Sequence, residues 1–227
     1  MPSRKKTTMF ASAFLTSLCS FVLICVVLAT QHWMSSEVCL SSTESKATVS
    51  LTYGLFSGTC KQSVSAGIEV SESTFQVADI LRSTTAKSTI TAIIVILVLS
   101  LLTSLLSSGF TCTNAVSNPY QTFLGPIGVY TWNSLCGILT LIAMILFPVN
   151  IEEHSLSVEL ARGCFPFLQE HISSAHTYGY SYWIMLLIIL LNIASIVIIY
   201  FYDHARYSKK KQQERPIENA PKDVILF

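Results

Sequence analysis

Four long apolar segments without charged side chains dominate the pattern of this chain. They comprise residues 9–30, 90–110, 124–147 and 181–202. A helix of roughly 20 apolar residues spans about 30 Å of hydrocarbon, whereas a soluble helix keeps a polar face for water. The pattern therefore predicts an all-α membrane protein whose fold is a bundle of four transmembrane helices.

More polar segments separate these spans. They are a short N-terminus (1–8), a long first loop (31–89), a tight turn (111–123), a second loop (148–180) and a C-terminal tail (203–227). Residues 48–56 alternate between polar and apolar types and are rich in β-branched side chains, which predicts a short strand in the first loop. Asn118-Pro119-Tyr120 carries helix-breaking residues. The second and third spans should therefore form an antiparallel hairpin.

Basic residues are unevenly distributed although the formal net charge is only +1. Three precede the first span and six follow the last, while the 111–123 turn has none. By the positive-inside rule, both termini are predicted to be cytoplasmic and both long loops outside, although Arg82 and Lys87 argue weakly against this orientation. Trp33, Tyr180, Tyr182 and Trp183 are expected to anchor the outer interface. Val27-Leu28-Ala29 also resembles a signal cleavage site, but the apolar run exceeds a usual signal core.

Small polar residues inside the spans predict how the helices pack. Ser12, Thr16 and Ser20 recur at every fourth position of the first span, as do Ser100, Ser104 and Ser108 in the second. Close packing over such stripes and interhelical hydrogen bonds drive helix association in lipid. Asn192 in the fourth span is expected to bond a neighbouring helix. Alternatively, the hydroxyl groups only bond carbonyl groups of their own helices.

The composition of the spans argues against several classes of function. Ser88 to Ile151 contains no Asp, Glu, Lys, Arg or His, and intramembrane charges are typical of transporters and selective ion pathways. No phosphate-binding loop or hydrolase motif occurs, so no enzyme activity, cofactor or nucleic-acid partner is predicted. His154, Cys164, His171 and His176 share the second loop, but their spacing matches no standard zinc site.

Three of the seven cysteines lie in the two long loops, where an oxidising compartment permits disulfides. Cys39 and Cys60 enclose a loop of about 20 residues and are the predicted pair, with Cys164 left as a spare or competing partner. Cys112, near the predicted cytoplasmic face, is either a palmitoylation site or a free thiol. No Asn-x-Ser/Thr sequon is present.

The tail contains two candidate interaction motifs. A basic cluster follows the fourth span and is expected either to contact anionic inner-leaflet lipids or to act only as an orientation signal. The cluster comprises Arg206, Lys209, Lys210, Lys211 and Arg215. The chain ends in Ile225, Leu226 and Phe227, and a free apolar C-terminus can add a strand to the groove of a PDZ domain.

Several motifs resemble known families of four-span proteins. Trp33 and Gly54-Leu55-Phe56, followed by Cys60, are distantly similar to the claudin and peripheral-myelin superfamily, although Phe56 stands where that superfamily has tryptophan. A closer resemblance, covering essentially the whole chain, is to the clarin family. It rests on Tyr53-Gly54-Leu55-Phe56, Ser107-Ser108-Gly109-Phe110, the 117–126 segment, Gly128-Val129-Tyr130-Thr131-Trp132-Asn133 and the terminal Ile225-Leu226-Phe227.

The clarin resemblance implies a noncatalytic plasma-membrane protein that acts as a scaffold or auxiliary subunit. As a family, clarins are implicated in sensory hair cells and in organising membrane and cortical actin through partner proteins. The expected partners are the lipid bilayer, anionic lipids, PDZ or cytoskeletal scaffold proteins and further copies of the chain. Two rival hypotheses remain, claudin-like adhesion between cells and a pore, and the uncharged spans disfavour the second.

Overall fold

A computed structural model describes residues 4–41, 46–64, 68–116, 125–167 and 170–218. The predicted turn at Asn118-Pro119-Tyr120 and the terminal Ile225, Leu226 and Phe227 lie outside the described residues. The described helices are α1 (Arg4–Ala29), α2 (Val77–Ile80), α3 (Thr84–Val116), α4 (Pro126–His154), α5 (Leu156–Cys164) and α6 (Tyr180–Glu218). The described strands are β1 (Met34–Ser41), β2 (Lys46–Tyr53), β3 (Ser57–Val64), β4 (Ile68–Gln76) and β5 (Glu170–Tyr178).

Helices α1, α3, α4 and α6 form the predicted bundle. Each contains a segment long and apolar enough to cross a membrane. α1 packs against α3 and α6, and α4 packs against the same two helices, so the four helices form a ring. Apolar side chains also cover the outside of the ring, where Leu15 is 59% exposed and Ile138 is 55% exposed. Lipid solvates such a surface, whereas water does not.

The two long loops fold together into an antiparallel sheet, so the all-α prediction was too narrow. The strand order is β4-β3-β2-β1-β5, with β5 contributed by the second loop. The short strand predicted at 48–56 overlaps β2, but its neighbours were not predicted. They are rich in Ser and Thr and carry few apolar residues, which leaves only a weak alternating pattern.

One face of the sheet packs on the helices. Alternate residues of β1 and β2 are fully buried, among them Val38, Leu40, Val49 and Leu51. These residues belong to one apolar cluster that continues into the end of the helix bundle next to the sheet, including Ile93 and Phe147. We call the strands β1–β5 together with α2 and α5 the loop domain, and the end of the bundle that carries it the loop side.

Trp33 joins the helix bundle to the sheet. Its indole is fully buried, donates a hydrogen bond to the carbonyl of Val27 (2.8 Å) and packs edge-on against Phe147. Its backbone bonds Tyr53 on one side and Gly179 on the other. The expectation that Trp33 anchors the membrane interface is therefore wrong, because its indole contacts protein on every side.

Two glycines make this junction possible. A Cβ atom at Gly54 would overlap with the carbonyl oxygen of Thr30, and one at Gly179 would overlap with that of His32. The link between α1 and β1 thus passes between two backbones that only glycine allows to approach so closely. Trp183 and Tyr180 are more than half exposed at the same level, where aromatic side chains suit a membrane interface. Tyr182 is instead buried, and its hydroxyl donates to the carbonyl of Met144.

The structure pairs Cys60 with Cys164, so the predicted Cys39–Cys60 disulfide is wrong. Cys39 lies opposite Thr48 on the polar face, whereas Cys60 lies opposite Leu51 on the buried face. β2 also separates their strands by roughly twice the spacing of about 4.8 Å between neighbours, which exceeds the reach of a disulfide. The observed bond has a Cα–Cα distance of 6.8 Å and ties the two loops together.

We expect replacement of Cys164 to destabilise the loop domain. The bond closes a loop with a sequence separation of 104 residues, so Cys164→Ser should lower the free energy of unfolding by about 2–5 kcal/mol. Thermal unfolding of the purified full chain in detergent measures the change. Cys39→Ser is the matched control and should cost little. An equal loss for both variants, or peptide mapping that finds Cys39 bonded to Cys60, would contradict the observed pairing.

Candidate interaction surfaces

A buried network of hydroxyl groups connects both loops within the loop domain. The phenol of Tyr53 lies 2.7 Å from the Ser157 hydroxyl, which lies 3.1 Å from that of Ser36. Ser36 in turn contacts Nδ1 of His176 at 3.0 Å. Burial raises the pKa of Tyr53 well above its usual range, so the phenol stays protonated and able to donate at neutral pH. The network therefore fixes β1, β2, β5 and α5 relative to one another.

Sequence reasoning missed this network, although one signal was available. Ser36 lies between Met34 and Val38 in an alternating strand, so it shares their buried face. A buried hydroxyl requires a partner, and that partner had to come from elsewhere in the chain. Nothing in the sequence identifies Ser157, which is separated from Ser36 by 121 positions.

Strand β5 forms one edge of the sheet and is the most accessible strand of the loop domain. Seven of its nine residues are exposed and the other two are half-buried. The amide of Gly179 donates to Trp33, and backbone groups alternate in direction along a strand, so the amides of Tyr178, His176 and Ser174 point away from β1. The strand contains no proline or lysine, and its ladder to β1 is regular from Tyr178 to Ser173, with a bulge beyond that point. It can accept an extended segment of another protein.

The exposed face of the sheet is polar. Ser50, Thr52 and Thr59 alternate with the buried residues, and Lys61 pairs with Glu72 across the face at 3.5 Å. Both charged groups of that pair are well exposed, so the pair adds little stability. This face therefore offers hydroxyl and charged groups rather than an apolar patch.

A cluster of polar side chains connects three helices within the bundle. Nδ2 of Asn133 donates to the hydroxyl of Ser107 at 2.7 Å, and the hydroxyl of Ser17 donates to Oδ1 of Asn133 at 3.3 Å. The Ser17 and Ser107 oxygens are 3.2 Å apart. The cluster joins α1, α3 and α4. None of its residues belongs to the predicted stripes.

The predicted stripes behave differently from residue to residue. Ser104 donates to the carbonyl of Ser17 on α1, whereas Ser100 contacts Thr140 and Cys136 on α4. Ser12, Thr16 and Ser108 instead bond carbonyl groups of their own helices, so they do not bridge α1 and α3. Nδ2 of Asn192 donates to Ile188 in its own helix and lies 3.5 Å from the Ser20 hydroxyl of α1, which is a weak contact.

At the other end of the bundle, α6 continues beyond the predicted span and carries the basic cluster. Arg206 and Lys211 are exposed there, and Lys209, Lys210 and Arg215 lie in the same helix. Cys112 is exposed in the last turns of α3. Their predicted roles in lipid contact and palmitoylation stay predictions. In the described parts of the chain, no group of His, Cys, Asp or Glu side chains is arranged to hold a metal ion.

The family model and the similar proteins found by sequence comparison agree with one another. A sequence model of the family described as Clarin-2-like matches residues 5–199. Clarin-3 of Homo sapiens and Clarin-3 of Mus musculus are each 48% identical to the chain over 227 residues, which is the full length of both sequences in each case. Clarin-2 of Homo sapiens is 28% identical over 209 residues, or 88% of this chain and 89% of that protein.

We expect Asn133→Leu to weaken the bundle, because it removes two interhelical contacts and leaves Ser17 and Ser107 without their amide partner. Contacts of this kind between membrane helices contribute about 0.6–2 kcal/mol. Unfolding titrations in mixed detergent micelles should show a loss in this range, with a smaller loss for Asn192→Leu. Thr131→Val is the control, since that exposed hydroxyl bonds only its own helix. Equal stability of Asn133→Leu and this control would disprove the role of the cluster.

Proposed function

Because this chain belongs to the clarin family, we propose that it is a noncatalytic membrane scaffold or auxiliary subunit that organises a membrane complex. Its four apolar helices and its family make it a multi-pass membrane protein. The proposed location is the plasma membrane. By family resemblance, the proposal extends to sensory cells and to a link with cortical actin.

The exposed edge strand β5 is the observation that carries the proposal. Main-chain donors and acceptors along an open edge provide affinity for an added strand, and side chains at alternate positions provide selectivity. Natural proteins usually protect such an edge when it has no partner. An accessible edge on a domain held by a disulfide and a buried network suits the recruitment of another protein.

The course of the strand favours a partner in the same membrane. Met34 follows directly from the α1 junction, and Tyr178 lies just before α6, so these ends of β1 and β5 lie at the membrane. The opposite ends, Ser41 and Glu170, lie further away. An open edge that rises from the bilayer surface is accessible to the extracellular segment of a neighbouring membrane protein or of a second copy.

The tail supplies the second part of the proposal. Basic residues on the exposed end of α6 would lie next to the inner leaflet if the termini are cytoplasmic, and anionic lipid would attract them. The terminal residues beyond them would then reach a PDZ or cytoskeletal scaffold protein. This arrangement would connect a complex assembled at β5 to cortical actin.

Claudin-like adhesion is the second candidate, and the same loop domain supports it. Both long loops fold into one body on one side of the bundle, and its outward face is polar and accessible. A face of this kind suits contact with the loop domain of a molecule on an apposed cell.

We expect Ser174→Pro to reduce recruitment at the edge of β5. Proline removes an outward-pointing amide without breaking the ladder to β1. The amount of complex that a membrane-impermeant cross-linker traps at the cell surface should fall by about fivefold or more. The two chains are compared at equal amounts of protein on the surface. Ser174→Ala, which keeps the amide, should behave like the original chain. Undiminished complexes in Ser174→Pro would exclude the edge as the recruiting surface.

Imaging of the same tagged chains separates the two functions. Producing cells are mixed with nonproducing cells, and the protein is located on the surface. Even distribution, or enrichment at actin-rich protrusions whatever the neighbour, supports the scaffold. Enrichment only where two producing cells touch supports adhesion and contradicts the scaffold.

Tail binding has its own test. Side chains at alternate positions of a C-terminal ligand fill the pockets of a PDZ groove, so Phe227→Ala and Ile225→Ala should reduce capture of PDZ proteins. Leu226→Ala is the matched control, because a side chain at this alternate position would point out of the groove. Pull-downs unaffected by removal of residues 225–227 would end this part of the proposal.

A further inference from the structure

A basic cavity lies where the loop domain meets the helices. It has a volume of about 400 Å³ and is lined by Arg82, His154, Glu159 and Arg162, with Ile80 and Val158 among its apolar residues. Arg82 lies two residues before the start of α3, and His154 ends α4. Because both helices are long and apolar enough to cross the membrane, the cavity lies at the level of the lipid headgroups.

The two arginines keep their charge available to a ligand. Neither guanidinium forms an ion pair with a carboxylate in the part of the chain that the structure describes. The acidic lining residue is already engaged, since Oε1 of Glu159 accepts hydrogen bonds from the backbone amides of Arg82 and Ser83 at 2.5 Å each. Arg82 and Arg162 against Glu159 give these lining side chains a formal charge of +1, and guanidinium groups are well suited to bind phosphate oxygens.

A shallow, open and largely apolar groove runs along the outer face of α3 near this cavity. It is lined by Thr84, Lys87, Ser88, Thr91, Ala92, Val95 and Ile96. These positions follow the helical repeat and mark one face of α3. Twelve residue steps at 1.5 Å each extend about 18 Å, close to the depth of one leaflet of a hydrocarbon core about 30 Å thick.

The cavity and the groove adjoin each other, because Arg82 lines the first and Thr84 lines the second. Lys87 lies at the polar end of the groove, and Ala92, Val95 and Ile96 lie deeper. Positive charge at headgroup level beside an apolar helix face of leaflet depth matches one class of ligand. We propose that this site binds a single anionic phospholipid, with its phosphate between Arg82 and Arg162 and an acyl chain along α3.

Lipid retention on the full chain tests the proposal. The purified protein is exchanged into phosphatidylcholine nanodiscs with a minor fraction of phosphatidylglycerol, and native mass spectrometry counts the phosphatidylglycerol retained on release. Arg82→Gln and Arg162→Gln should each reduce retention about fivefold, the factor expected for one basic residue at a lipid surface. Lys61→Gln removes an equal charge from the sheet face and should leave retention unchanged. Arg82→Gln keeps the backbone amide that bonds Glu159, so it should not disturb folding.

The groove has its own matched pair of variants. Ala92→Trp fills the groove and should also reduce retention, whereas Val98→Trp places the same bulk on an exposed position of α3 outside the groove lining. Equal retention in all variants would overturn the proposal. A second result would also overturn the proposal. If only the arginine variants retained less lipid, and glycerol phosphate displaced the lipid fully, the site would be one for a soluble anion.

Discussion

The seating of Trp33 between the helix bundle and the sheet is the contact on which the rest of the structure depends. Its indole bonds the last turns of α1, its ring packs on Phe147 of α4, and its backbone bridges β2 to the start of α6. Three of the four long helices are therefore fixed relative to the sheet at one residue. The register Met34↔Tyr178 and Met34↔Tyr53 begins one residue later, so the position of Trp33 sets which faces of three strands are buried.

The two parts that meet at this junction are stabilised in different ways. The sheet buries alternate apolar side chains, and water drives that burial. The helices expose leucine and isoleucine on their outside and have no comparable drive in lipid, so they depend on close packing and on polar contacts. The cluster of Ser17, Ser107 and Asn133 supplies such contacts for three helices at once. Its position between α1, α3 and α4 agrees with the ring in which these helices pack.

The sequence predicted the parts of this fold that depend on local properties. Span length and apolarity are local, and the four long helices follow from them. The disulfide was predicted wrongly because the sequence spacing suggested Cys39 as the partner of Cys60. The pairing of Cys60 with Cys164 depends instead on which face of its strand each cysteine lies on and on the position of α5. The Ser stripes predicted the neighbouring helix for some residues and not for others, for a related reason. A repeat at every fourth position identifies a helix face but not its neighbour, so Ser100 turned out to face α4 while Ser104 faces α1.

The short helix α5 explains why the second loop folds only together with the first. Ser155, with a φ of 48°, turns the chain out of α4, and the nine residues that follow contact four separate parts of the first loop. Ser157 bonds Tyr53 of β2 and Ser36 of β1, Glu159 binds the backbone just before α3, and Cys164 is joined to β3. Each of these groups lacks its partner when either loop is unfolded. The edge strand β5 is the next element after α5 and pairs with β1, so its orientation toward a partner is set by contacts that the first loop provides. Recruitment at β5 and retention of lipid beside Arg162 would therefore require the same folded body, although they use different residues and different chemistry.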